Sequence, residues 1–304
     1  MNGGETVARM RKSLLALMSV AILTGCSADP RAGKAPAVAP KIVETTPAPE
    51  PSKAPPRVKP ELKPVAAAEP WGAVKGRIIW GSAELPKLVP VVVPTTHNDH
   101  KFCTKDGVFH EETWVVDSKS KGLKNVFVWL ASADKDGKLA IYPSRQMIAD
   151  ADKKVVIDQP VCMFVPHALA LREGQVVVVK NTSKVLHNFN WSGDGIVNLG
   201  GNNAIAAGQQ QEVAIKAHRL PIAVNCGIHP WMKGWIRAFD HPYFAVTDAQ
   251  GRFEIKDAPA GLCRLMIWHA EGWLGGVKGR DGKIITIQSG ENDQGTLEFP
   301  PPTN

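Results

Sequence analysis

Residues 225–232 read Asn-Cys-Gly-Ile-His-Pro-Trp-Met, so a thiol, an imidazole and a thioether follow one another at intervals of three residues. Glycine and proline within the stretch favour a turn, from which Cys226, His229 and Met232 can all reach one metal ion. Two imidazoles and a thiolate, with a weak axial thioether, are the ligands of a blue-copper electron-transfer centre. The stretch therefore predicts a copper site whose second imidazole comes from elsewhere in the chain.

The best candidate for the second imidazole is His187, which follows the strand-like, valine-rich run 175–180 and precedes Asn188. A His-Asn pair after an apolar strand, followed 39 residues later by Cys-x2-His-x2-Met, resembles the plastocyanin and amicyanin branch of the cupredoxins. Pro230, directly after the loop histidine, makes the loop most similar to that of amicyanin. The resemblance covers residues 160–239.

The resemblance implies that four residues bind a single type 1 copper ion: His187, Cys226, His229 and Met232. It further implies that Asn188 joins the two ligand-bearing loops and helps to hold the thiolate. In this family the ring edge of the loop histidine lies at the surface, so we expect the same of His229. Pro230 and Trp231 would then belong to a docking patch for a redox partner; the other interpretation is that they pack the loop.

The five cysteines divide unevenly. If Cys26 is lipidated and Cys226 binds copper, three remain, and we expect a disulfide between Cys103 and Cys162 because both flank turns before the proposed metal site. Cys263, in an alternating strand, has the pattern of a small buried apolar residue. The alternative for Cys226 is a disulfide with one of these three, which would leave the ligand spacing unexplained.

Residues 1–26 have the features of a signal peptide: basic residues, then the apolar run 14–23, which is too short for a permanent membrane span. Leu-Thr-Gly-Cys at 23–26 is similar to the bacterial lipobox, in which the cysteine, here Cys26, becomes lipidated. The alternative is ordinary cleavage nearby with Cys26 unmodified. In both cases we expect export, to the periplasmic or cell-surface face of a bacterial membrane.

Residues 27–70 contain eleven of the 24 prolines and are rich in alanine, lysine and glutamate. Such a composition cannot bury a core, so we predict a disordered tether. Counting both segments, the first 70 residues hold ten basic and six acidic side chains, which leaves +3 of the net charge of +7 for the rest. This mild charge, together with export, argues against binding to nucleic acid.

Alternating apolar residues at 74–80 and 123–130 predict strands. Residues 245–268 contain an Asp-x-x-Gly hairpin, a Phe-x-Ile strand and a Pro-x-Gly turn, in a pattern that resembles the transthyretin-like (carboxypeptidase regulatory-like) β-sandwich. That family usually starts with strands like the two upstream ones, so the two distant regions can belong to one domain.

We therefore predict an all-β chain: a Greek-key cupredoxin sandwich associated with a transthyretin-like sandwich and, by hypothesis, inserted in it. Residues 71–155 and 240–304 are the predicted halves of the transthyretin-like domain, and 156–239 the cupredoxin domain. Two sequential β domains are the alternative.

The irregular region 85–116 contains four scattered candidates for metal ligands: His97, His100, Cys103 and His110. They match no closed zinc pattern, so we predict a structured loop and not a zinc site. His241 and His269 could form a second metal site or a proton-handling pair, but histidines at such positions are more often structural.

These patterns leave three functional hypotheses. The first is a membrane-tethered carrier of single electrons between exported redox proteins, such as c-type cytochromes or a dehydrogenase. The second is a subunit that feeds electrons to a copper enzyme, although the His-x-His pairs and His-Cys-His run of a multicopper oxidase are absent from the sequence. The third is a surface scaffold or adhesion protein with incidental copper. We expect no catalysis at the copper, because all four coordinating positions are filled by protein.

Overall fold

A computed structural model describes residues 71–135, 137–139 and 153–301. Among these residues the chain forms sixteen β-strands, one short α-helix and one 3-10 helix, which confirms the all-β prediction. None of the helices in the described ranges is long and apolar enough to cross a bilayer. Cys26 and the predicted tether 27–70 lie outside the described residues.

The elements follow one another along the chain in this order: β1 (Trp71–Trp80), α1 (His100–Cys103), β2 (Phe127–Ser132), β3 (Lys154–Asp158), β4 (Ala168–Arg172), β5 (Val176–Lys180), β6 (His187–Trp191), β7 (Gly201–Ile205), β8 (Gln210–Ala214), β9 (Ile222–Asn225), β10 (Lys233–Phe239), β11 (Phe244–Val246), β12 (Arg252–Pro259), β13 (Gly261–His269), β14 (Gly272–Trp273), the 3-10 helix Gly276–Asp281, β15 (Lys283–Ile287) and β16 (Gly290–Phe299).

Strands from the two ends of the described chain form two sheets around a common core, which we call the terminal sandwich. One sheet has the order β12-β1-β16, and the other has the order β11-β2-β13-β14 with β15 beside β13. Strand β1 is antiparallel to β12 and parallel to β16, with Trp80 opposite Phe299. Buried side chains from both sheets, including Ile78, Leu130 and Ile267, make up the core.

The strand β12 shows how local sequence specifies this sandwich. Phe253 and Ile255 are buried whereas the residues on either side of each are exposed, as expected for a strand with one face on the core. The predicted Asp-x-x-Gly hairpin precedes it, with the Gly251 N–H donating to the Asp248 carbonyl at 2.9 Å. Gly251 has a φ of +75°, and a Cβ there would lie 1.9 Å from the Ile78 carbonyl oxygen, so the turn requires glycine.

The strands from β3 to β10 form a second pair of sheets, which we call the middle sandwich. Their orders are β4-β10-β9-β6-β7 and β3-β5-β8. The core between them includes Val177 and Val179 of the valine-rich run. Strand β3 starts at Lys154, two residues before the boundary at 156 inferred from the sequence. The domain limits themselves stay a prediction.

The two sandwiches meet at a cluster of large side chains from β2, β13 and β10, including Trp129, Trp268 and Phe239. The guanidinium of Arg237 lies between two of these rings, 3.9 Å from the ring centroid of Trp129 and 4.2 Å from that of Phe239. Burial lowers the pKa of Arg237 to about 9, so it stays charged at neutral pH. The aromatic faces therefore replace part of its hydration.

His241 and His269 are both buried. His241 accepts a hydrogen bond from the Tyr243 backbone N–H at 3.1 Å, and His269 stacks on Trp114 with ring centroids 4.4 Å apart. Burial, as the main cause, lowers the pKa of His241 to about 4 and that of His269 to about 3. Neither belongs to a group of three nearby metal-ligand side chains in the described residues, so these contacts favour the structural interpretation.

Candidate metal centre

The predicted ligand loop connects β9 to β10, which are antiparallel neighbours with Asn225 opposite Lys233. Within the loop, the Cys226 N–H donates to the Met232 carbonyl at 3.3 Å and the Met232 N–H donates to the His229 carbonyl at 2.8 Å. All three side chains are at most 1% exposed. The short turn therefore brings the thiol, imidazole and thioether residues to one buried end of the middle sandwich.

His187 reaches this loop because it starts β6, which pairs with β9. Its Nδ1 lies 2.9 Å from the Nδ1 of His229, and that second nitrogen lies 3.6 Å from the Sγ of Cys226. The ligand atoms of these three residues all lie within 4.8 Å of one another. Sheet pairing thus supplies the remote imidazole that the sequence motif lacked.

The pocket holds both imidazoles neutral. Burial, as the main cause, together with the neighbouring His229 lowers the pKa of His187 to about 4. Burial also lowers the pKa of His229, although the carboxylate of Asp99 opposes this shift. Because only a neutral imidazole offers a lone pair to a metal, the environment prepares the two rings for coordination.

Asn188 links the two ligand-bearing segments. Its Oδ1 accepts hydrogen bonds from the backbone N–H groups of Gly227 at 2.7 Å and Ile228 at 3.4 Å. Its own backbone N–H donates to the Sγ of Cys226 at 3.4 Å, and its Nδ2 donates to Asn202. Asn188 therefore joins the start of β6 to the ligand loop and contacts the sulfur of Cys226.

Replacing Asn188 by alanine should destabilise the chain by about 1–3 kcal/mol, because the part-buried Gly227 N–H loses its acceptor. Copper affinity should fall as well, since the loop is no longer held against β6. Urea unfolding of the metal-free protein and a competitive copper titration measure the two effects.

The control is Asn190→Ala, which removes a similar side-chain bond on the same strand, from Asn190 Nδ2 to Asn225 Oδ1 at 2.9 Å. This bond does not touch a proposed ligand, so copper affinity should be preserved. Equal losses of affinity in the two variants would contradict the role given to Asn188.

The surface above the ligand loop is covered by another part of the chain, which the sequence did not predict. His229 was predicted to have its ring edge at the surface, and that prediction is wrong, because its side chain is fully buried. Residues 89–111, which we call the cover segment, lie over it, and the Asp99 Oδ2 is 3.1 Å from the His229 Nε2. Pro230 is exposed, while Trp231 is half-buried with its ring centroid 5.3 Å from that of His229.

The cover segment is the structured loop predicted for this region, but its proximity to the metal site was missed. His97 Nε2 lies 3.0 Å from the Ile228 carbonyl, and His100 Nδ1 lies 3.0 Å from the Val93 carbonyl. No spacing in the sequence relates His97 or Asp99 to a loop more than 120 residues away. The only feature of the sequence that related the cover segment to the middle sandwich was the expected disulfide between Cys103 and Cys162.

The structure contains that disulfide, between Cys103 and Cys162 with their Cα atoms 5.4 Å apart. Cys226 and Cys263 are both reduced and buried, so the alternative in which Cys226 forms a disulfide is wrong. Cys263 lies in the core of the terminal sandwich, as its pattern indicated. Because Cys103 is oxidised, it is not available as a ligand for the zinc alternative.

The donor set fits copper. The Nδ1 atoms of the two neutral imidazoles lie 2.9 Å apart and can share one hydrogen. A metal ion in that place could instead accept the Nδ1 lone pairs of both rings and bind the nearby sulfur as well. Zinc also takes thiolate and imidazole, but a thioether beside them is typical of copper. Met232 is buried in the same core as Cys226, and its carbonyl accepts the Cys226 N–H, so the donor types gathered here favour copper over zinc.

No protein-family model and no curated protein matches the chain. Among solved structures, a purple cupredoxin from Nitrosopumilus maritimus is similar, with 19% identity over 28% of this chain and 98% of its own, and a TM-score of 0.24. An amicyanin variant in the Cu(I) form shares 15% identity over 28% of this chain and 81% of its own, with a TM-score of 0.26. A reduced amicyanin variant shares 14% over 36% of this chain and 90% of its own, also with a TM-score of 0.26. These neighbours are cupredoxins, but each likeness is confined to a part of this chain.

Proposed function

We propose that this chain is an exported type 1 copper protein that carries single electrons. The observation that carries the proposal is the convergence of His187 Nδ1, His229 Nδ1 and Cys226 Sγ within one buried pocket. Copper bound there would supply a one-electron couple. Met232 would supply a weak thioether ligand, a role assigned from the donor types alone.

The surrounding residues suit electron transfer better than catalysis. Asn188 and the β9–β10 pairing hold the ligand loop in one geometry, which limits rearrangement between Cu(I) and Cu(II). Burial of the ligands excludes water and substrate, so a vacant coordination position is not offered. A copper enzyme would need such a position or a second centre.

The remaining parts of the proposal come from the sequence. Lipidation at Cys26 would anchor the chain to a bacterial membrane, and the tether 27–70 would hold the two sandwiches away from it. The terminal sandwich is proposed to be a transthyretin-like domain split by the cupredoxin. Partners would be exported redox proteins, such as c-type cytochromes or a dehydrogenase, docking near the exposed Pro230 and its neighbour Trp231.

Titration of the purified chain with Cu(II) tests the proposal. We expect one equivalent to bind and to give an intense visible thiolate-to-copper absorption, with the narrow copper hyperfine splitting of a type 1 centre in electron paramagnetic resonance. Reduction and reoxidation should each take one electron per chain. Two or more coppers per chain would favour the copper-enzyme hypothesis, and a folded chain without copper uptake would favour the scaffold hypothesis.

A further inference from the structure

The cover segment is an ordered part of the middle sandwich. The Val91 N–H donates to the Phe109 carbonyl at 2.9 Å, and the Glu111 N–H donates to the Val89 carbonyl at 2.8 Å, so its two arms pair with each other. Val93 and Cys103 are buried in the same core as Cys226 and Met232. The segment therefore has a defined position over the ligand loop.

Asp99 stands at the N-terminal cap of α1, where aspartate usually accepts a hydrogen bond from the first turn. Its side chain makes no such bond here. Instead its Oδ2 lies 3.1 Å from the Nε2 of His229, and the Asp99 side chain is 26% exposed while that of His229 is fully buried. The Asp99 carboxylate therefore does not cap the helix and instead contacts a proposed copper ligand.

The contact with Asp99 determines which ring nitrogen of His229 carries the hydrogen and which has the lone pair. An ionised carboxylate can only accept hydrogen bonds, so the Nε2 of His229 carries the hydrogen and its Nδ1 has the lone pair. That Nδ1 is the atom facing Cys226 Sγ and His187 Nδ1. A carboxylate behind a metal-binding imidazole also makes the imidazole a stronger donor.

His97 fixes the carboxylate relative to the loop. Its Nδ1 accepts the Asp99 backbone N–H at 3.1 Å, so its Nε2 carries a hydrogen, which it donates to the Ile228 carbonyl at 3.0 Å. The ring of His97 lies 5.0 Å from that of His229, between centroids. The cover segment is therefore bonded to the ligand loop both at His229 and at the residue before it.

We propose that Asp99, held by His97, is a positioning residue that fixes the tautomer and orientation of the copper ligand His229 and strengthens it as a donor. This inference rests on the proposed function, because the ligand role of His229 does. A stronger imidazole donor stabilises Cu(II) more than Cu(I), so Asp99 lowers the reduction potential of the site.

A second ion is the competing explanation, since His97, Asp99 and His229 form a group of potential ligands. Both ring nitrogens of His97 are already used in hydrogen bonds, and Asp99 faces the hydrogen on His229. An ion there would have to break these bonds. The hydrogen-bonded arrangement is therefore the one that the geometry favours.

Three variants of the full chain test the proposal. Asp99→Ala removes the acceptor and the charge, and Asp99→Asn keeps a near-isosteric acceptor while removing the charge. Asp106→Asn is the matched control, because its side chain is 70% exposed on the same segment and pairs only with Lys105 among the ion pairs seen there. Nitrogen-15 NMR of the metal-free proteins gives the His229 tautomer, and copper titration with voltammetry gives affinity and potential.

We expect Asp99→Ala to weaken Cu(II) binding about 10- to 100-fold, the usual effect of losing such a partner. If Cu(I) binding changes little, each tenfold loss raises the reduction potential by about 59 mV. The His229 ring should lose its single Nε2–H tautomer in Asp99→Ala and keep it in Asp99→Asn, whose potential should nevertheless rise. Asp106→Asn should match the native protein in all three measurements.

An unchanged tautomer and potential in Asp99→Ala would overturn the inference. So would a second bound copper that is lost in this variant, since Asp99 would then be a ligand. If the native chain binds no copper, the proposed function fails, and the tautomer in the metal-free proteins still decides whether Asp99 positions His229.

Discussion

Replacing Cys226 by serine should abolish the visible absorption of the copper-loaded protein completely. The absorption arises from charge transfer between a thiolate and copper, and a serine hydroxyl offers neither the sulfur orbitals nor an accessible anion at neutral pH. Because the Sγ of Cys226 is buried and lies 3.6 Å from the His229 Nδ1, its loss also removes the softest donor from the pocket. Copper affinity should therefore fall, most of all for Cu(I).

The matched control is Cys263→Ser, since Cys263 is the other reduced and buried cysteine in the described residues. It lies in the core of the terminal sandwich, so the substitution can cost stability without touching the ligand loop. The control should keep the full absorption. Retention of the absorption in Cys226→Ser, or its loss in Cys263→Ser, would show that another site binds the copper.

Removing the disulfide by the double substitution Cys103→Ser and Cys162→Ser should lower the free energy of unfolding by about 4 kcal/mol. The two cysteines are 59 residues apart in sequence, and closing a loop of that size restricts the unfolded chain by about this amount. The same bond joins the cover segment to the middle sandwich. We therefore also expect faster hydrogen exchange at the backbone amides of Asp99 and Phe102 in the same segment.

Urea unfolding of the metal-free protein without reductant measures this decrease in the free energy of unfolding. Adding a dithiol reductant should destabilise the native chain by a similar amount and leave the double variant unchanged, which separates the crosslink from packing of the serine side chains. A loss below about 1 kcal/mol would mean that the cover segment is held mainly by its apolar contacts and not by the crosslink.

The burial of His229 changes how a partner protein would approach the copper. A partner touching this face would meet the cover segment and Trp231 before the imidazole, because the ring itself is inaccessible. Trp231, one of the two residues of the proposed docking patch, has its ring centroid 5.2 Å from that of His97 in the cover segment and 5.3 Å from that of His229. The sequence did not indicate that the cover segment lies over His229.

Local features could be read from the sequence because they depend on neighbouring residues. The spacing of Cys226, His229 and Met232 is a property of one turn, and the buried alternation of Phe253 and Ile255 is a property of one strand. The all-β class follows from many such strands and turns. His187 was identified as well, because a strand pattern and an adjacent asparagine mark it.

The sequence suggested that the two end regions belong to one domain, but only the three-dimensional structure decided which of their strands pair and which side chains lie over the ligand loop. Strand β1 pairs with β16 across more than 200 residues, and Asp99 reaches His229 across 130, through contacts that no periodicity encodes. Such contacts form because apolar surfaces such as those of Val93 and Cys103 are removed from water together, which depends on the whole folded shape and not on spacing. The chain order therefore determined the proposed ligands and their donor types, and packing determined that the Asp99 carboxylate and the cover segment contact one of them.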